Sequence, residues 1–396
     1  MSSTLSAISP SALESMQNAI SLEGLDGWFF CNFRCRDKLS NQILHIPDFS
    51  NSRFWYYAVP VKGEPLRIIH SVEPEALDSL PGSKVFYTSR ETLKNALKPL
   101  AGKSWGVHIS DEIAAISYMD AGTANFLRDC GLKLITAAAL IQRFCGILDE
   151  QGIASHERSA VHLHEIVKIA WDFIKKAYND KKDIFEGDIR QLMIAEMEKR
   201  NIFADPNLIV AAGVNSGNPH YNFTGKGAQI REDDLILLDI WTKEKSEGSI
   251  YADISWAGVF AEKIPDEMEK RHKAIINSRE AAISFINNEF KQGRNPTGAS
   301  VDIIAREVFE KAGYSQGLKH RTGHGIDTEN HGSGVNIDSV EFPDKRLLLE
   351  GSCFSLEPGL YFSDFGMRTE VDVYIKNNAA IVSGKPHERQ FTLLTC

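Results

Sequence analysis

The chain has 396 residues, 43% apolar and 24% charged, with a formal net charge of -9 at pH 7. That length exceeds one ordinary hydrophobic core and predicts two domains. The acidic balance, without any Lys/Arg cluster, excludes a nucleic-acid partner. No apolar run approaches the roughly 18 residues of a membrane span, and MSSTLSAISPSALESMQNAI lacks a basic start followed by an apolar core, so a soluble cytoplasmic protein is expected.

In chain order, residues 27–72 read as strands: GWFFCNF, then FWYYAVPV, a Lys-Gly-Glu-Pro turn, and LRIIHSV. Helices over SRETLKNALKPL and MDAGTANFLRDC complete an N-terminal α/β domain, and a helix over 137–149 leads out of it. The boundary is placed at residue 150, giving domains 1–150 and 151–396. A long helix is predicted over 155–178, with Ser155 as its cap and Glu157 in its first turn. Further helices over 186–199, 265–291 and 298–312 alternate with strand segments, and Pro265 opens the second of these. Cysteines at 31, 35, 130, 145, 353 and 396 form no CxxC pair and read as reduced thiols.

Several tempting signals lack their parts. HERSAVHLHE (156–165) has three histidines but not the HExxH spacing that puts two on one helix face, and reads as a packed or solvated face. AGKS (101–104) has Leu97 where a phosphate loop requires Gly. No glycine-rich dinucleotide fingerprint follows a strand, and no GxSxG elbow is present.

The second half carries Asp239, Asp253, His324, Glu357 and Glu370, each in a segment with strand or tight-turn character. Asp239 ends LILLD, Asp253 lies in YADISW, Glu370 in GMRTEVDVYI, and Glu357 precedes Pro358 and Gly359. Gly323 and Gly325 flank His324, so the backbone there can approach a ligand closely. Converging carboxylates repel one another unless about four positive charges sit among them, which two divalent ions supply. His220, in GNPHYN, and His331, seven residues past His324, are positioned in sequence to donate hydrogen bonds to an oxyanion or a departing nitrogen.

The motifs LLDIW, YADISW, GHG, SLEPG and MRTE occur in an order that resembles the pita-bread metallopeptidases, the family of aminopeptidase P, prolidase and methionine aminopeptidase, with creatinase as a metal-free cousin. The resemblance covers nearly the whole chain. It implies an α/β (α+β) fold, with a creatinase-like N-terminal domain followed by a pita-bread catalytic domain. It further implies Asp239, Asp253, His324, Glu357 and Glu370 as ligands of two divalent ions, His220 and His331 as substrate-side histidines, and a homodimer. Oxygen-rich coordination favours manganese, with cobalt or zinc as substitutes.

The implied activity is two-metal hydrolysis of an Xaa-Pro bond, in dipeptides or at the N-terminus of peptides, with Glu357 as ligand and proton acceptor. Arg321 and Arg368 are candidates for holding a dipeptide's carboxylate, or for bracing the ligands. The rival readings are a creatinase-like metal-independent C–N hydrolase and a non-catalytic pita-bread binding module. Two departures from the family pattern stand out. WTKEKSEGSIY lengthens the hairpin between the two aspartates, and the usual Gly-Leu-x-Val-His-Glu becomes Asp-Thr-Glu-Asn-His-Gly at 327–332.

Overall fold

The computed structural model describes residues 8–261, 263–384 and 392–393; Cys396 lies outside the described residues. The chain divides between Cys145 and Gly146 into two compact units, a few residues before the expected boundary.

In the first unit, strands β1 (Gly27–Asn32), β2 (Trp55–Pro60), β3 (Leu66–His70), β4 (Ser83–Tyr87), β5 (Ser104–Val107) and β6 (Lys133–Thr136) form one sheet in the order β4-β3-β2-β1-β5-β6. Its helices are α1 (Pro10–Leu22), α2 (Lys38–Leu44), α3 (Arg90–Leu97), α4 (Ala121–Asp129) and α5 (Ala138–Cys145). Every residue of β1 is buried, which explains the apolar run from Gly27 to Cys31; the buried Asn32 that ends it donates to the Asp37 carbonyl at 2.8 Å. Trp28 and Phe30 pack with α1, α2 and α5, while Phe29 and Cys31 pack with α3 and α4. The edge strands β4 and β6, with mostly exposed residues, gave no such signal.

The second unit opens with α6 (Glu150–Asn179) and α7 (Glu186–Lys199). The long helix starts earlier than expected because Asp149, not Ser155, is its cap, accepting from the Gly152 N–H at 2.7 Å. Strands β7 (Ile209–Ala212), β8 (Leu235–Thr242) and β9 (Ala252–Val259) follow, then α8 (Asp266–Lys291) and α9 (Gly298–Lys311). Pro265 caps α8 from outside rather than opening it. The chain ends in β10 (Cys353–Leu356), β11 (Gly359–Tyr361), β12 (Gly366–Arg368), β13 (Val371–Lys376), β14 (Ala379–Val382) and β15 (Thr392–Leu393). The sheets are β15-β9-β8-β7, β10-β13-β14 and β11-β12. On β8 and β9, Ile236, Leu238, Ile240, Ala252 and Ile254 bury against α6 and α7. Leu235, Leu237, Ala257 and Val259, on the opposite face, pack toward α8 and α9.

Gly323 and Gly325 serve a different end from the one their sequence context suggests. A Cβ on Gly323 would fall 1.9 Å from the Ser355 carbonyl oxygen, and one on Gly325 2.6 Å from Gly334 backbone. The close approach is therefore of backbone to backbone, which lets residues 322–326 lie against β10, with the Ser355 N–H donating to His324 O at 2.9 Å and the Glu357 N–H to Thr322 O at 2.8 Å. Gly323→Ala is expected to lower unfolding free energy by about 1–3 kcal/mol through overpacking against rigid backbone, measured by denaturant titration; an unchanged midpoint would contradict this packing.

Candidate metal centre

β8 and β9 pair in unbroken antiparallel register, Asp239 opposite Ser255 and Trp241 opposite Asp253. Alternation of side chains then puts both aspartates on one face, beside Leu235 and Leu237. The lengthened connection at residues 243–251 leaves this register intact, as expected of an insertion at a hairpin tip. Glu370 stands not within a strand but on the step between β12 and β13, anchored by its N–H to Ser255 O at 3.0 Å. The pairing of residues 322–326 with β10 delivers His324 and Glu357 to the same place.

Ligand atoms of Asp253, His324 and Glu370 lie within 4.8 Å of one another, and all three residues are buried. His324 Nε2 is 3.9 Å from Asp253 Oδ2 and 3.5 Å from Glu357 Oε1. His324 Nδ1 lies 3.3 Å from the Gly325 carbonyl. An Nδ1–H tautomer donating there leaves the Nε2 lone pair facing the acids, as in a metal-ligating imidazole.

The acids have too few donors. Ser255 Oγ lies 3.0 Å from Asp239 Oδ1 and 2.7 Å from Glu370 Oε2, yet a single O–H serves one of them at a time. Asn330 Nδ2 donates to Asp253 Oδ2 at 2.7 Å. Asp253 Oδ1, also buried, has no partner among the described residues. Burial, reinforced by Asp239 and Asp372, drives the Asp253 carboxyl well above its usual range. Burial and then Asp253 and Glu357 do the same to Glu370. Glu357 rises from 4.5 to about 7 by burial, with Arg368 pulling the other way and Asp239 adding to the rise. An orphaned carboxylate oxygen amid hard oxygen donors and one imidazole fits a divalent cation, and Asp253, His324 and Glu370 could hold one.

Asp239 shares the face, but its Oδ2 is paired with Arg368 Nη2. The other nitrogens of Arg368 donate to Ser255 Oγ and to the Tyr361 hydroxyl, each at 2.9 Å. Tyr361 in turn lies 2.8 Å from His320 Nε2, and His320 Nδ1 is 2.6 Å from the Arg321 carbonyl. Burial and then the Arg368 cation push His320 down to about 3, so it is neutral and accepts from Tyr361. Sequence reading missed His320, Tyr361, Ser255 and Asn330. His320 stands four residues before His324 and Tyr361 four after Glu357, but one-dimensional spacing gives no reason to link them.

His331 is exposed, with its ring centroid 4.3 Å from that of His324. His220 is exposed too, in the turn after residues 213–217, and its charge acts on both His320 and His331. Arg321 is half-buried, and its guanidinium has no hydrogen-bond or ion-pair partner among the described residues. Its charge nonetheless bears on His324, His331 and Glu357. The histidines of 156–165 lie apart from this set. His156 is fully buried, 2.6 Å from both the Tyr251 carbonyl and Ser383 Oγ, a packed core residue.

Residues 156–377, more than half of the chain, match the model of metallopeptidase family M24. The chain belongs to this family. Among its relatives, the Xaa-Pro dipeptidase of Lactobacillus delbrueckii subsp. lactis is 34% identical over 163 residues, 41% of this chain and 40% of that protein. The Xaa-Pro dipeptidase of Lactobacillus helveticus is 31% identical over 204 residues, 51% of this chain and 50% of that protein. The chain thus spans half or less of the length of these two relatives. The solved dipeptidase PepE of Mycobacterium ulcerans superposes with a TM-score of 0.72 at 18% identity, covering 98% of both chains, which shows a shared fold over both units of this M24 protein. The α/β expectation holds, and no helix among the described residues is long and apolar enough to cross a membrane.

The raised carboxyls make the stability of the metal-free protein depend on pH. Folded Glu357 keeps a proton that the unfolded chain releases between 4.5 and about 7, so stability falls as pH rises through that window. Asp253 and Glu370 act in the same direction. Burial holds His156, His272, His320, His324 and His331 below their usual range, and they act the other way, so the Glu357 contribution is read as a difference. In chelator-treated protein, the Tm of the wild type relative to Glu357→Gln is expected to fall from pH 4.5 to 7; a difference that stays constant or rises across that range would show that Glu357 does not carry a raised value.

Proposed function

We propose that this M24 protein is an exopeptidase that hydrolyses the Xaa-Pro bond, in dipeptides or at the N-terminus of short peptides, with two divalent ions. The observation that carries this reading is the unpartnered, buried Asp253 Oδ1 within the convergent Asp253, His324 and Glu370 donors. Glu357 and Asp239 complete the ligand set. The ions, when bound, supply Lewis acidity and lower the pKa of water. The oxygen-rich set favours manganese over cobalt or zinc. Five free thiols among the described residues suit a cytoplasmic setting.

Each surrounding side chain then has a task. Glu357, 3.5 Å from His324 Nε2 through Oε1, accepts the proton that hydrolysis releases. His331 and His220, both at the exposed side, donate to the developing oxyanion or to the departing proline nitrogen. Arg368 braces Asp239 rather than meeting substrate, because its three nitrogens are engaged by Asp239, Ser255 and Tyr361. Arg321, with no hydrogen-bond or ion-pair partner among the described residues, receives the substrate carboxylate.

The test compares Ala-Pro with Ala-Pro-Ala on metal-stripped enzyme reloaded with manganese, beside a chelated control. Metal-dependent proline release from Ala-Pro, or alanine release from the tripeptide, is the expected result; no metal-dependent cleavage of either overturns the reading. In the active preparation, Glu357→Ala is expected to lose activity by about three orders of magnitude or more with the fold intact by circular dichroism. Arg321→Met is expected to raise KM for Ala-Pro by about 10-fold to 100-fold, the scale of a charge-assisted hydrogen bond. The same change should leave the amide-capped dipeptide unaffected; equal losses on both would remove Arg321 from carboxylate binding.

A further inference from the structure

The two places where this sequence departs from the family pattern meet in space. Lys243, at the start of the lengthened β8–β9 connection, donates from Nζ to the Thr328 carbonyl at 2.6 Å. Its ammonium also lies 4.5 Å from the centre of the Tyr251 ring, at the other end of that connection. Tyr251 N–H donates to the Asp327 carbonyl at 3.0 Å. The inserted segment therefore grips the altered loop 327–332 at two successive carbonyls.

The loop is closed from within as well. The Asp327 carboxylate accepts from the N–H groups of Glu329 and Ser333 at 2.8 and 2.7 Å and from Ser333 Oγ at 2.9 Å. Gly332 N–H donates to Gly325 O at 2.8 Å. A Cβ on Gly332 would stand 2.5 Å from the Asp327 carboxylate, so the Gly that replaces the usual Glu is what lets Asp327 sit there. Two side chains of this closed loop meet the candidate metal centre: Asn330, which donates to Asp253 Oδ2, and His331, whose ring meets His324.

We infer that Lys243 is a positioning residue that locks the 327–332 loop so that Asn330 and His331 hold fixed places over the centre, and that this brace sets which substrate the enzyme prefers. The loop's own sequence does not supply that rigidity on its outer side. Glu329 is exposed and Thr328 half-buried, and the link from Thr328 to the body of the unit is the Lys243 ammonium, a donor to a carbonyl beside an aromatic face. The Lys243 ammonium meets the Thr328 carbonyl and the Tyr251 ring rather than any of the proposed metal ligands, so its effect is exerted through Asn330 and His331.

The proposal rests on the Xaa-Pro reading for its substrate, and the experiment separates the two. Hydrogen exchange of the full chain, metal-loaded, is followed at residues 327–333 in the wild type, Lys243→Met and Lys243→Arg; this readout needs no activity. Lys243→Met is expected to speed exchange in the loop by about tenfold or more, as one hydrogen bond is lost, with Lys243→Arg restoring protection. In kinetics, Lys243→Met is expected to change the ratio of kcat/KM for Ala-Pro to Phe-Pro by about tenfold with bound manganese unchanged. A cycle with Asn330→Ala is expected to be non-additive. Unchanged loop exchange, or an unchanged substrate ratio with additive losses, overturns the brace. If the wild type cleaves no Xaa-Pro substrate, the Xaa-Pro reading fails, and the exchange result still decides whether Lys243 holds the loop.

Discussion

The dominant constraint on the second unit is electrostatic: four carboxylates are gathered where water is scarce, with too few hydrogen-bond donors to satisfy them. Arg368 answers one, Asn330 another, and Ser255 is shared between two. What is left over, the free oxygen of Asp253 and the upward shift of three acids, is a deficit of positive charge. Such a deficit costs stability in the metal-free chain and is tolerable only if a cation that binds the folded state offsets it. The hydrophobic clusters on both faces of the β8–β9 pair are what hold the acids together against their repulsion.

This arrangement also explains why the site reads so well from sequence while much of its surroundings does not. Asp239 and Asp253 announce themselves because each interrupts an apolar strand, and a charge in a buried strand requires a reason. Glu357 is marked by the Pro and Gly that follow it. Ser255, Tyr361 and His320 are ordinary residues in ordinary contexts, and their part in the network depends on which segments the fold brings side by side. Arg321 and Arg368 look alike in sequence, each close to a proposed ligand, and only the three partners of Arg368 separate them. The glycines beside His324 were legible as sites of close approach, but what approaches is another stretch of backbone.

The fold shows the same division. β1 and the long helices α6, α7, α8 and α9 were legible because burial imprints an apolar run or a 3.6-residue period. The start of α6 was not, since Asp149 and Ser155 are both competent caps; Asp149 caps the helix, and Ser155 Oγ, inside it, bonds Glu244 and the Ile250 N–H instead. Edge strands β4 and β6 bury little, so their residues carry no alternation to read. The lengthened hairpin and the altered loop were each visible as departures, and nothing in one dimension shows that they touch.

The backbone crossing at Gly323 has a consequence for metal choice. Thr322 and His324 are hydrogen-bonded through their carbonyls to Glu357 and Ser355, and no Cβ separates the two strands, so the His324 and Glu357 donors move together. These two side chains therefore share one rigid mount, so a change of spacing at either would have to shift the backbone of both. If the proposed ions sit there, this half of the site would resist adjusting ligand by ligand, as flexible oxygen sites do for larger ions such as calcium.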